Sequence, residues 1–149
     1  MSKNVVVCDI DGVLVKVDDR FKDIPSDPGE WEEFYKNSPD EPIPEMVSLI
    51  RGLEYSYFNV IFCTGRRESS RRKTHDWIKN HVKWDVGKGR LLMRKDGDLR
   101  PDAIVKPELI REAGIDFNEA AFVIEDRNRV VAEWRRLGLT CLQPFEGNF

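Results

Sequence analysis

Residues 5–12 read VVVCDIDG, an apolar run that stops abruptly at two aspartates one residue apart. Residues 4–10 show no polar alternation, which predicts a strand covered on both faces, as in a parallel sheet. A strand that ends by holding Asp9 and Asp11 side by side has a repulsion to resolve. Either water screens the pair on a loop, or a cation neutralises it.

Outward from this strand, short apolar runs alternate with segments of helical period. Pro44 suits the first residue of a helix, with Met46, Val47, Ile50 and Leu53 following at helical spacing. FNVIFC (58–63) reads as a second buried strand, 68–82 as a basic helix with Trp77, Ile78 and Val82 inward, and LLM (91–93) as a short strand. KPELIREAG (106–114) reads as a helix closed by Gly114, and AAFVIE (120–125) as a third long strand. A helix over 127–137 with Val130, Val131 and Trp134 inward, closed by Gly138, leads to a last strand at 139–143. Strands alternating with helices predict an α/β fold, a three-layer sandwich around a central parallel sheet. The 149 residues are expected to form a single domain with no internal repeat, interrupted by an irregular acidic excursion at about 18–44 that holds five prolines.

The apolar fraction of 40% and charged fraction of 34% suit a globular chain and argue against wholesale disorder. No apolar run approaches a membrane span, and the N-terminus lacks the apolar core of a secretory signal. Cys8, Cys63 and Cys141 lie in apolar stretches, an odd number without close spacing. This fits reduced thiols packed as apolar filler in a cytoplasmic protein. The net charge of −3 gives no general attraction to nucleic acid. Its distribution is asymmetric: residues 66–100 hold twelve Lys/Arg against five Asp/Glu, a net of +7 that leaves −10 elsewhere. Such a segment is either a basic surface for an anionic partner or the solvated face of a helix.

Open parallel sheets bind ligands outside the carboxyl ends of their strands. Asp9 and Asp11 end the first strand, Thr64-Gly65-Arg66 the second, and Glu125-Asp126-Arg127 the third long one. Four carboxylates on one rim call for a hard divalent cation, and oxygen ligands of this kind suit Mg²⁺, which shares its shell with phosphate. Neither a His/Cys cluster nor another zinc-type set is present, and His75 and His81 sit on the basic helix without an evident partner. The Thr64 hydroxyl, the bare backbone at Gly65 and the charges of Arg66 and Lys106 can hold phosphate oxygens. An aspartate beside a cation and a captured phosphate can attack phosphorus, and a carboxyl two residues on can protonate the leaving oxygen. Each motif alone has an ordinary explanation as a turn, a cap or an exposed charge. Their joint occurrence at strand ends carries the reading.

DIDGVL (9–14) resembles the DxDGT/V signature of the haloacid dehalogenase-like phosphatases, and CTGR (63–66), the lysine of AIVKPE (103–108) and IEDR (124–127) follow in that family's order. DIDGVLVKVDDR, RPDAIVK and the stretch from IEDR to the last residue resemble the phosphatase domain of phage-type polynucleotide kinase. The resemblance implies a fold with a minimal cap and an open site. It implies Asp9 as nucleophile and metal ligand, and Asp11 as general acid/base with its backbone carbonyl on the metal. Thr64 and Lys106 would bind phosphate, Asp126 would complete the metal shell, Arg20 and Arg66 would be functional arginines, and Asp102 would orient Lys106. Glu125 stands where those relatives have aspartate, so whether Glu125 or Asp126 meets the metal directly stays open. No GxxxxGK[ST] phosphate loop occurs. The expectation is a Mg²⁺-dependent phosphatase without a kinase domain, removing 3′-phosphates from DNA or RNA ends. The alternatives are a small-molecule phosphatase of the same fold and a non-catalytic nucleic-acid-binding module.

Overall fold

The computed structural model describes residues 2–17, 27, 30, 33–34, 37, 39–84 and 86–149. Its centre is β1 (Val5–Cys8), in which all four residues are buried. On one side β1 pairs with β2 (Asn59–Arg67), which pairs with β3 (Leu91–Arg94); on the other it pairs with β4 (Ala120–Ile124), which pairs with β5 (Cys141–Leu142). All four pairings are parallel. The helices are α1 (Pro44–Glu54), α2 (Arg71–His81), α3 (Asp102–Glu112) and α4 (Asn128–Arg136).

The period-two geometry of β1 divides its side chains between two cores. Val6 and Cys8 join Val60 and Phe62 of β2, Met46 and Ile50 of α1 and Trp77 and Ile78 of α2. Val5 and Val7 join Ile61 and Cys63, Ile110 of α3 and Val130, Val131 and Trp134 of α4. The expected three-layer α/β sandwich is what forms. No helix among the described residues is long and apolar enough to cross a membrane.

Several element bounds depart from expectation for local reasons. β2 runs through Thr64, Gly65 and Arg66 to Arg67, with a register shift against β3 between Thr64 and Arg67. The basic segment opens with a 3-10 turn at Glu68–Ser70 before α2 begins. α3 starts at Asp102, four residues ahead of the expected 106, and carries Pro107 inside it. A proline reads naturally as a helix start, yet here Pro101 is the N-cap and Pro107 forfeits an interior backbone bond. The last strand is only Cys141–Leu142. Most of the 18–44 excursion, with any cap it forms, lies outside the described residues. Its return is firm: Lys16 N donates to Glu41 O (2.8 Å) and Ile43 N to Leu14 O (2.7 Å).

Register sets the site. Cys8 stands opposite Phe62 on β2 and Ile124 on β4, so the residues just past all three are level. The strand order reverses at β1, which makes this edge the topological switch point. Trp134, almost fully buried and edge-on to Phe117 at 6.1 Å, anchors the second core. Trp134→Ala is expected to lower the unfolding free energy by about 3–5 kcal/mol in urea denaturation; a loss under about 1 kcal/mol would contradict that placement.

Candidate active site

The chain enters the site at the end of β1. Asp9 N donates to Ile124 O (3.0 Å), continuing the ladder one residue further. The Ile10 carbonyl then accepts from the amides of Val13 (3.2 Å), Leu14 (2.8 Å) and Val15 (3.1 Å), closing a tight turn over a buried Ile10. Gly12 sits in this turn at φ +84°, and a Cβ there would fall 1.9 Å from Oδ2 of Asp126. A side chain at position 12 is therefore excluded both by backbone conformation and by the approach of the Asp126 carboxylate.

Lys106 reaches in from α3 and is buried. Its Nζ donates to Asp9 Oδ1 (2.9 Å) and to Glu125 Oε2 (2.6 Å). Glu125 Oε1 accepts from the backbone amides of Asp126 and Arg127, both at 3.2 Å. Carboxylate oxygens of Asp9, Glu125 and Asp126 lie within 4.8 Å of one another, and all three residues are buried. Asp126 is held from behind, where its carbonyl accepts from Gly147 N (2.9 Å) and Gln143 Nε2 (2.8 Å).

Burial raises the Asp9 carboxyl to about 8, with Glu125 adding repulsion and Lys106 pulling it back. Burial likewise raises Asp126 to about 7, with Asp9 next in effect. Glu125 also moves up, by burial first, against the pull of Lys106. Burial opposes the charge of Lys106, but Asp9, Glu125 and Asp102 outweigh it and hold the ammonium protonated. Three carboxylates against one ammonium leave this cluster short of positive charge, and it can hold a metal ion.

A second layer surrounds the cluster. Arg66 donates through Nε and Nη2 to Asp11 (2.8 and 2.7 Å) and through Nη1 and Nη2 to Asp40 (3.0 and 2.8 Å), and Nη1 also reaches Thr74 Oγ1 (3.3 Å). All five guanidinium N–H groups thus have acceptors. In this arrangement the Arg66 donors face two carboxylates and a hydroxyl. Thr64 is buried and its Oγ1 accepts from Arg66 N (3.1 Å), leaving the hydroxyl proton for another acceptor.

Asp102 faces the same edge. Its carboxylate takes hydrogen bonds from Arg94 Nη2 and from Arg127 Nη1 (3.0 Å), and its charge also favours the Lys106 ammonium. Burial pushes its carboxyl up, but Lys106, Arg127 and Arg94 bring it below the usual range. Gly65 makes room for it, since a Cβ there would lie 2.5 Å from Asp102 Oδ1. Arg94 ties the same region together by donating to Gly65 O (3.0 Å), Asp98 O (2.9 Å) and Arg100 O (2.6 Å).

A small cavity of about 10 Å³ is lined by Asp9, Asp11, Gly65, Asp102, Lys106, Glu125, Asp126 and Arg127. Nine of the ten residues singled out from sequence therefore lie at this edge of the sheet, seven of them on the cavity wall, with Thr64 and Arg66 behind it. The tenth, Arg20, lies outside the described residues. Sequence reasoning missed Asp40 and Arg94, and it placed Arg127 at this edge without giving it a role. Asp40 and Arg94 carry no motif; Arg127 was visible in IEDR as the residue after the acidic pair.

The comparisons with known proteins agree with this geometry. The family model of the polynucleotide kinase PNKP phosphatase domain matches residues 3–149. A chain of the Pnkp1/Rnl/Hen1 RNA repair complex is 29% identical, with a TM-score of 0.76, over 99% of this chain and 44% of that one. The present chain thus spans less than half the length of that relative. The fold alone is shared with a predicted phosphatase from Clostridium acetobutylicum, at 15% identity and TM-score 0.65, over 96% of this chain and 85% of that one. It is shared too with a haloacid dehalogenase-like hydrolase, SP0104 from Streptococcus pneumoniae, at 15% identity and TM-score 0.59, over 94% and 83%. With a family match that runs almost end to end and the lysine–carboxylate cluster at the sheet's switch point, the chain belongs to the PNKP phosphatase-domain family of haloacid dehalogenase-like phosphatases.

Proposed function

We propose that this phosphatase is a Mg²⁺-dependent phosphomonoesterase that works through an aspartyl-phosphate on Asp9 and removes 3′-phosphates from polynucleotide ends. The observation that carries the chemistry is Lys106 bridging Asp9 (2.9 Å) and Glu125 (2.6 Å) on the wall of the cavity. The observation that favours a polynucleotide end is the 29% identity, over 99% of this chain, to a chain of an RNA repair complex.

The buried carboxylate oxygens of Asp9, Glu125 and Asp126 are of the type that suits a hard cation. Asp9 and Asp126 would hold it together with the Asp11 carbonyl. Glu125 would act from behind, since one of its oxygens already serves Lys106 and the other two backbone amides. When bound, Mg²⁺ supplies charge neutralisation and Lewis acidity at the phosphoryl oxygens. The rest is the chain's own. An Asp9 oxygen attacks phosphorus; the bond from phosphorus to the 3′-oxygen breaks, and that oxygen takes the Asp11 proton to leave as an alcohol. Lys106 and the Thr64 hydroxyl hold the non-bridging oxygens. Asp11 then takes a proton from water, which attacks phosphorus and displaces Asp9 to release phosphate.

The +7 segment supports the polynucleotide reading less than its charge count suggests. Arg71 pairs with Glu68, Arg90 with Glu54, Arg94 with Asp102, Lys95 with Glu112 and Arg100 with Glu108. Among the described side chains of this segment, Arg72, Lys79 and Lys83 are exposed on and just after α2 without a carboxylate partner among the described residues. This spending of charge favours, as the second reading, a phosphatase acting on mononucleotides or sugar phosphates.

A phosphate-release panel separates the two. With Mg²⁺, a 3′-phosphorylated oligonucleotide should outpace a 3′-mononucleotide and a 5′-phosphorylated oligonucleotide. Its kcat/KM should fall as salt rises, because phosphate contacts release counterions. Asp9→Asn should remove activity by about a thousandfold or more. Faster turnover of the mononucleotide, independent of salt, would establish the second reading instead.

The raised carboxyls make a further outcome checkable. Asp9 moves from 3.8 to about 8 and Asp126 from 3.8 to about 7. Between those values the folded, cation-free chain retains protons that the unfolded chain has released, so its stability falls as pH rises through this window. In EDTA the melting temperature should therefore drop between about pH 5 and about pH 8, and Mg²⁺ should flatten the slope by neutralising the ionised cluster. Identical slopes with EDTA and with Mg²⁺ would contradict cation binding at these residues.

A further inference from the structure

The Arg66 guanidinium is 1% exposed and lies between two carboxylates, Asp11 at 12% and Asp40 at 4% side-chain exposure. Its Nε–Nη2 edge faces Asp11 and its Nη1–Nη2 edge faces Asp40, each through two hydrogen bonds of 2.7–3.0 Å. A planar fork that is bidentate on both edges fixes the carboxylates relative to one another as well as to itself.

Asp40 is in turn fixed from outside the site. Its carbonyl accepts from Trp77 Nε1 on α2 (2.7 Å), and Lys73 Nζ lies 3.7 Å from Oδ2. The residues that follow it pair with the turn that carries Asp11: Lys16 N with Glu41 O and Ile43 N with Leu14 O. Asp40 therefore joins three parts of the molecule, namely α2, the returning excursion and the end of β2. Burying an Asp–Arg–Asp set is a poor route to stability, because the desolvation cost is large and an apolar trio of similar volume would pack as well. Its geometric product is a side chain at Asp11 with one orientation, at the rim of the cavity.

We propose that Asp40 is a positioning residue for Asp11, acting through Arg66. It holds the far edge of the guanidinium so that the near edge presents Asp11 toward the leaving oxygen. This rests on the reading of Asp11 as proton donor given above. With Asp40 removed, the far edge of Arg66 loses its carboxylate in a buried setting, and the fork is free to tilt away from Asp11.

The test is the leaving group. A 3′-phosphorylated oligonucleotide expels an alkyl alcohol, which needs a proton. p-Nitrophenyl phosphate expels a stable anion, which does not. First-turnover release of each leaving group is measured by rapid quench. Asp40→Asn is expected to slow the oligonucleotide about tenfold more than the aryl ester, through misplacement of the donor. Asp11→Asn is expected to show the same discrimination at about a hundredfold. The double variant should lose no more on the oligonucleotide than Asp11→Asn alone. Asp40→Glu, which keeps the charge, is run alongside as a gentler change and should discriminate in the same direction but less. Equal losses on both substrates in either Asp40 variant, or additive losses in the double variant, overturn the proposal. If Asp11→Asn itself slows both substrates equally, the proton-donor reading of Asp11 falls and takes this inference with it. Discrimination in Asp11→Asn without any in the Asp40 variants sinks this inference alone.

Discussion

The molecule depends on a buried contact between one ammonium and the carboxylates around it. Lys106 lies between Asp9 and Glu125 with Asp126 close by, all nearly removed from water. Charges in such a setting are costly unless paired, and three carboxylates against one lysine are only partly paired. The cluster is built incomplete, and what would complete it is positive charge from a cation. Burial first, and repulsion within the cluster second, raise the carboxyls of Asp9 and Asp126 in the cation-free state.

The fold brings these groups together by register. Cys8, Phe62 and Ile124 stand level across β1, β2 and β4, and the strand order reverses at β1, so Asp9, Thr64 and Glu125 follow at one edge of the sheet. α3 crosses the same edge and inserts Lys106 between them. Two glycines set the closest approaches: Gly12 admits Asp126 and Gly65 admits Asp102. Around this first set, arginines act as ties. Arg66 fixes Asp11, Arg94 fixes the end of β2 to Asp102, and Arg127 joins Asp102 from the start of α4. A reaction centre on strand ends held by second-layer ion pairs is well suited to transfer chemistry, where sub-ångström misplacement is costly.

Much of this was legible in the chain because it is written in local patterns. Unbroken apolar runs marked the buried strands, helical spacing marked α1 and α4, and the paired acids at 9 and 11 and at 125 and 126 marked strand ends. What could not be read are pairings between distant side chains. Arg66 meets Asp11 across 55 residues and Asp40 across 26, and no local period records either. For the same reason a net of +7 looked like a binding track, although several of its cations are bound to acids from elsewhere in the chain. The start of α3 was misplaced because Pro107 signals a beginning, while tertiary packing on the second core overrides that local preference.

The central claim is that Asp9, poised by Lys106, takes the phosphoryl group onto itself. The most direct measurement is a single turnover with a substrate labelled in its phosphate, quenched in acid and mapped by peptide. Label is expected on the peptide that contains Asp9, lost on treatment with hydroxylamine, and absent in Asp9→Asn. Release of phosphate at full rate with no labelled protein, and inversion at phosphorus as in direct attack by water, would contradict it.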